Sequence, residues 1–265
     1  MDGAAVLTWF AVALVGGAVA VGVGWVLRRV DELGRPRRSP WVSVALLLVL
    51  AVAAAVPGVL RARQERRLGG AASVLAGARV AVRCHSLGGA FVDAGPELDY
   101  VRWRADGTPE PWTLLKRDQC RHLAAYARSD KRSPSRDQVL AVHDLTHEAM
   151  HLSGRLGEAA AECAAVQRDA HTARLLGAGD AAAAALAAAY WRNVYPLMPD
   201  GYRSPDCRAG GLMDERLADT PWLAPARSQR FDPAEQASTR KGVRHAPSCA
   251  ARPRRWRDRQ DAHAR

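Results

Sequence analysis

Lysine is nearly missing from this chain: of its 38 basic residues only Lys116, Lys131 and Lys241 are lysine, and the rest are arginine. Alanine is abundant throughout, so the imbalance reads as the coding bias of a GC-rich genome. The formal charge of +11 is then a poor pointer to a nucleic-acid partner. No zinc-finger spacing, recognition-helix pattern or basic patch interleaved with aromatics accompanies it, and no nucleic acid is expected to bind. The chain also lacks GxSxG, a P-loop and a GxGxxG following a strand. The SLGG at 86–89 reads as a turn. No cysteine precedes residue 84, and none of Cys84, Cys120, Cys163, Cys207 and Cys249 stands in a CxxC pair, which removes zinc ribbons and thioredoxin-like motifs. The five cysteines fit two disulfides in an oxidising compartment plus one leftover thiol. Chain order pairs Cys84 with Cys120 and Cys163 with Cys207, one connectivity among several; buried free thiols in a cytoplasmic domain are the other reading.

Charge is missing from two long runs. Residues 4–27 and 41–60 carry none, and each is long enough to cross a hydrocarbon core of about 30 Å as a helix. The N-terminus MDGAA has no basic n-region, and the first run exceeds an ordinary signal-peptide core, so two transmembrane helices are expected. The loop between them, RRVDELGRPRRSP, is short and basic, which places it in the cytoplasm and both termini outside. Arg61, Arg63, Arg66 and Arg67, just after the second run, oppose that orientation. The expected location is the cell membrane, multi-pass, with the C-terminal domain extracytoplasmic.

The expected fold is mainly α: two N-terminal transmembrane helices, then a small helical domain with at most a minor hairpin. Residues 1–60 form the anchor, 61–82 a juxtamembrane helix or linker broken at Gly69 and Gly70, 83–225 the domain, and 226–265 a disordered basic tail. Turn chemistry dominates 83–112, with FVDAG and DYVRWRADG as short strand candidates. Helices are expected over 113–128, over 134–153 (capped by Ser133, with Pro134 first and Gly154 as its stop), over 157–176, and from Asp180 to a stop at Pro196. The alanine run at 181–189 reads as helical and functionally silent.

The second of these helices carries HDLTHEAMHLSG, residues 143–154. His147 and His151 are i and i+4, on one helical face, so both imidazoles can address one Zn²⁺. Glu148 is offset by one residue and can serve as general base for a metal-bound water. His143 lies about 12 Å from His151 along the axis, too far to share that ion, and reads as a helix-face or supporting residue. His171 is remote, and His85 and His122 belong to no motif. A catalytic zinc takes a third protein ligand and keeps one position open.

HEAMH followed by GEAAAEC, residues 157–163, resembles the gluzincin branch of the zincin metallopeptidases. There the helix after HExxH carries a glutamate ligand and, one turn later, an acid that supports a ligand histidine. The resemblance implies zinc as cofactor, Glu158 as third ligand and Glu162 as supporting acid, with Glu162 the alternative third ligand. The spacing departs from the family: six residues separate His151 from Glu158, and Gly157 stands where asparagine is usual. In that shortness it is similar to metzincins, HExxHxxGxxH, with Gly154 at the glycine but Gly157 where their third ligand would be. Residues 140–212 also resemble uncharacterised bacterial membrane proteins with a short HExxH domain. Tyr202 is a candidate donor to an oxyanion. The function expected is hydrolysis of peptide bonds in a peptide or protein substrate by a membrane-anchored metallopeptidase. The alternative is a non-catalytic envelope binding or scaffold protein with a structural or vestigial metal site.

Overall fold

The computed structural model describes residues 3–28, 38–85 and 100–223. The FVDAG segment, most of the basic loop after the first helix, the SLGG turn, Cys249 and the tail at 226–265 lie outside the described residues.

Helix α1 (Gly3–Leu27) and helix α2 (Trp41–Ala76) pack as an antiparallel pair. Small residues line the contact, Ala11, Ala18 and Ala51 being buried, and Trp25 meets Trp41 with ring centroids 5.9 Å apart. The larger apolar side chains point away: Trp9 is 71% and Val42 82% exposed. Both helices are long and apolar enough to cross a membrane.

α2 does not break at Gly69 and Gly70. It continues to Ala76 and stops at Gly77, whose φ of 66° suits a residue without a Cβ. The glycines have another role, since a Cβ on Gly69 would sit 3.4 Å from the Val80 carbonyl oxygen and the Val82 nitrogen. The strand that follows crosses the helix at this bare position. The lower half of α2 is thereby part of the domain core, with Leu68 and Ala72 buried. Its polar side chains finish the fixing: Glu65 accepts from the Cys84 amide at 2.9 Å, Arg67 donates to the Leu176 carbonyl at 2.8 Å, and Arg61 and Gln64 donate to the carbonyls of Cys84 and Cys120.

A three-stranded sheet exceeds the expected hairpin. Strands β1 (Ala81–Cys84), β2 (Tyr100–Trp103) and β3 (Pro109–Leu115) are ordered β1-β3-β2, with β1 parallel and β2 antiparallel to β3. Residues 113–115 are strand rather than the start of a helix, because Thr113 and Leu115 alternate inward while both neighbouring strands take the backbone hydrogen bonds. Helix α3 (Arg117–Arg128) starts after them and is held to β1 by the disulfide Cys84–Cys120.

Helix α4 (Arg136–Leu152) runs through the centre of the domain, against α2, α3 and the sheet on one side and later helices on the other. Its cap is Ser135 rather than Ser133: the Ser135 hydroxyl accepts from the Gln138 amide, and the Gln138 side chain accepts from the Ser135 amide. Its end is a Schellman turn. Arg155 N–H bonds Met150 C=O, Gly154 N–H bonds His151 C=O, and Gly154 takes φ 99°.

The single helix expected over 157–176 is two, α5 (Glu158–Val166) and α6 (Asp169–Leu175). They are interrupted at Gln167 and Arg168, where the Gln167 side chain turns to the Met213 carbonyl and the Glu215 amide. Helix α7 (Asp180–Asn193) begins where expected and gives way to a 3-10 turn at Tyr195–Leu197 that contains Pro196. Residues 196–215 fold back over the helices, tied by the disulfide Cys163–Cys207 and by Glu215, which accepts from Arg155 and Arg168.

Candidate metal centre

The turn after α4 brings the first residue of α5 back over the last two turns of α4. Three atoms converge there. His147 Nε2 lies 3.0 Å from His151 Nε2 and 3.2 Å from Glu158 Oε2, and His151 Nε2 lies 3.3 Å from the same oxygen. A tetrahedral zinc at about 2.0–2.1 Å from each donor sets its ligand atoms about 3.3–3.4 Å apart, so the triangle has the size of one face of such a site.

The far nitrogens decide what this triangle is. His151 Nδ1 is 2.6 Å from the Arg155 carbonyl, which can only accept, and His147 Nδ1 is 3.0 Å from Glu162 Oε2. Each Nδ1 therefore carries the proton, and both Nε2 lone pairs face one another and a carboxylate. Three electron-rich atoms at van der Waals contact repel unless a cation sits among them. With no metal, a proton takes that place. Burial pulls His147 down, but its hydrogen bonds to Glu158 and Glu162 overcome this and hold it at about 9. The same contacts with His147 and His151 pull Glu158 down to about 2.

The backbone explains why these donors meet. Gly154 permits the turn that aims the Arg155 carbonyl at the His151 ring, and the short link from Gly154 to Gly157 leaves Glu158 beside the histidines. His147 and His151 side chains are 10% and 8% exposed, Glu158 46%. The solvent side of the site is thus the Glu158 side. Among the described residues this cluster has three candidate ligands, His147, His151 and Glu158, which leaves one tetrahedral position open.

Glu148 is buried, and its Oε2 accepts from the Thr113 hydroxyl of β3 at 3.1 Å. Burial raises its carboxyl pKa, and the charges of His147 and His151 oppose the rise. A buried carboxyl group whose proton affinity is raised is suited to taking up a proton from a neighbouring water. Two aromatic rings flank the histidines: Trp103 meets His151 edge-on at 6.3 Å, and Tyr202 lies 5.9 Å from the His147 ring. Burial raises the Tyr202 pKa, so the hydroxyl stays a donor.

Glu162 lies behind His147, one turn beyond Glu158, and does not join the triangle. His143 is not on a solvated face. It is buried behind the site, with Nε2 2.9 Å from Glu162 Oε2. His171 lies on α6 and belongs to neither His/Glu group that could hold a metal. Sequence reading missed Thr113, Trp103, Asp169, Tyr190 and the Arg155 carbonyl. None of these stands at a telling spacing in the sequence, unlike His143, which lies four residues before His147 and reads as a supporting residue. Compared with protein families, curated proteins and solved structures, the chain matches none of them.

Proposed function

We propose that the protein is a membrane-anchored, zinc-dependent hydrolase of zincin type that cleaves peptide bonds in a peptide or protein substrate. The observation that carries the reading is the triangle of His147 Nε2, His151 Nε2 and Glu158 Oε2, with the buried carboxyl of Glu148 on the same helix. Zinc bound there would supply a polarised water with a pKa near neutrality.

The chain's own residues supply the rest. Glu162 and the Arg155 carbonyl fix the protons of His147 and His151 on Nδ1 and keep both Nε2 lone pairs turned to the open face. Glu148, held by Thr113, takes the proton of the attacking water and passes it to the leaving amine. Tyr202, whose ring lies beside His147, would donate from its hydroxyl to the carbonyl oxygen as charge develops on it. Trp103 and Tyr202 flank the two histidines as apolar neighbours.

The two apolar helices support anchoring in the cell membrane, and the two disulfides support an extracytoplasmic domain. The test is zinc content and peptide hydrolysis of the intact protein beside Glu148→Gln. Stoichiometric zinc in both, with hydrolysis only in the wild type, is the expected result. Zinc in both with no hydrolysis of a broad peptide library by the wild type favours the non-catalytic scaffold instead.

A further inference from the structure

The zinc reading uses only one edge of a larger buried cluster. Behind His147, the Glu162 carboxylate is 1% exposed and takes three hydrogen bonds. Its Oε2 faces His147 Nδ1 at 3.0 Å and His143 Nε2 at 2.9 Å, and its Oε1 accepts from the Tyr190 hydroxyl at 2.7 Å. His143 uses its other nitrogen as well, with Nδ1 3.0 and 3.2 Å from the two oxygens of Asp169, a fully buried residue. The imidazole lies flat on the Tyr190 ring, centroids 3.5 Å apart and planes within 10°.

Four helices each give one member: His143 from α4, Glu162 from α5, Asp169 from α6 and Tyr190 from α7. A buried ionic cluster is a poor way to hold helices together, because apolar residues of the same volume do it as well or better. Its persistence here is explained by what it touches. Glu162 must offer Oε2 to His147 in a fixed direction, and with His147 alone it would be free to rotate away. His143 bonds the same oxygen from a second direction, Tyr190 holds Oε1, and Asp169 stops the His143 ring from turning.

We propose that His143 and Asp169 are positioning residues for the metal, acting through Glu162 to lock the His147 Nε2 lone pair onto it. The proposal rests on the zinc reading. The same atoms, His143, His147 and Glu162, are also close enough to hold a second metal. Hydrogen bonding accounts for them better, since the Glu162 oxygens then accept from His147, His143 and Tyr190 and Asp169 takes the remaining His143 nitrogen, with nothing left over.

The experiment uses the full chain in detergent or nanodiscs, with wild type, Asp169→Asn and His143→Gln. Zinc affinity is measured by competition with a chromophoric chelator, the cobalt-substituted visible spectrum reports ligand geometry, and the metal-free protein is melted. Asp169→Asn is expected to weaken zinc about 10–100-fold and to alter the cobalt bands, with one metal per chain before and after. Unchanged affinity and cobalt spectrum beside a lowered metal-free melting point would make the cluster structural and overturn the proposal. Two zinc ions in the wild type and one in His143→Gln would overturn it differently, by making His143 a ligand. If His143→Gln does not fold, Tyr190→Phe keeps the ring, removes one hydrogen bond from Glu162 and should lose several-fold in affinity; no loss in it or in Asp169→Asn counts against the relay. A wild type without zinc overturns the metal reading and the relay together, whereas a zinc-loaded wild type with unaffected variants overturns the relay alone.

Discussion

At the scale of single residues the site is governed by where two protons sit. Because Glu162 and the Arg155 carbonyl take the Nδ1 protons, the two Nε2 atoms at 3.0 Å cannot hydrogen-bond each other as neutral rings, and the site calls for a cation. At pH 7 the metal-free protein meets that demand with a proton, since His147 is held at about 9. Zinc needs the neutral ring, so binding must displace this proton. Calorimetry in buffers of different ionisation enthalpy should find about one proton released per zinc at pH 7, and affinity should rise with pH until His147 loses its proton unaided. No proton release would contradict a protonated His147 in the metal-free site. Glu148 plays a separate part: Glu148→Gln should bind zinc like the wild type and lose about 10²–10⁴ in the rate of hydrolysis. An equal loss of zinc would move Glu148 from proton transfer to metal binding. The pair and its glutamate were legible because HExxH declares itself within one helix. Asp169 and Tyr190 were not, since each reaches the site through the packing of its helix and no local spacing records that.

Among the elements, the turn at Gly154 matters most to the site. Its φ of 99° is one that a Cβ strains, so Gly154→Ala should destabilise the protein by about 1–2 kcal/mol. The same change should weaken zinc, because the turn places both the Arg155 carbonyl and Glu158. Chemical denaturation with and without zinc separates the two effects; a stability loss with zinc affinity intact would show that the turn only ends the helix. This turn was readable, for a glycine after an amphipathic run is a local signal. So were the start of α7 and its stop near Pro196. β3 was not, because Thr113, Leu114 and Leu115 suit helix or strand alike and only pairing with β1 and β2 decides. Gly69 misled for a similar reason: it reads as a breaker, yet it serves the close crossing of the chain entering β1. The alanine run of α7 is helical as expected, and Ala183 and Ala187 to Ala189 are buried. Their small side chains let α7 approach until Tyr190 lies on His143.

For the whole molecule, the continuity of α2 means that the apolar half and the domain share one helix with no flexible link between them. Arg61 and Arg67 are bonded to domain carbonyls, so this arginine-rich stretch should resist trypsin in the native protein. It should become cleavable once the domain is unfolded. Rapid native cleavage there would show a loose tether. The disulfides hold the two sides of the domain separately, Cys84–Cys120 joining sheet to α3 and Cys163–Cys207 clamping residues near Tyr202 to α5. Losing the second should cost about 2–4 kcal/mol and should depress hydrolysis more than zinc affinity, as read from unfolding and kinetics of Cys207→Ser. The proposed hydrolase requires one metal at the seam of α4 and α5, where His147, His151 and Glu158 meet. Zinc-edge X-ray absorption on the intact protein tests that most directly. The account predicts one zinc per chain, four-coordinate, with two imidazole nitrogens and two oxygens at about 2.0–2.2 Å. No stoichiometric zinc, sulfur in the first shell, or an unchanged spectrum in His151→Ala would contradict it.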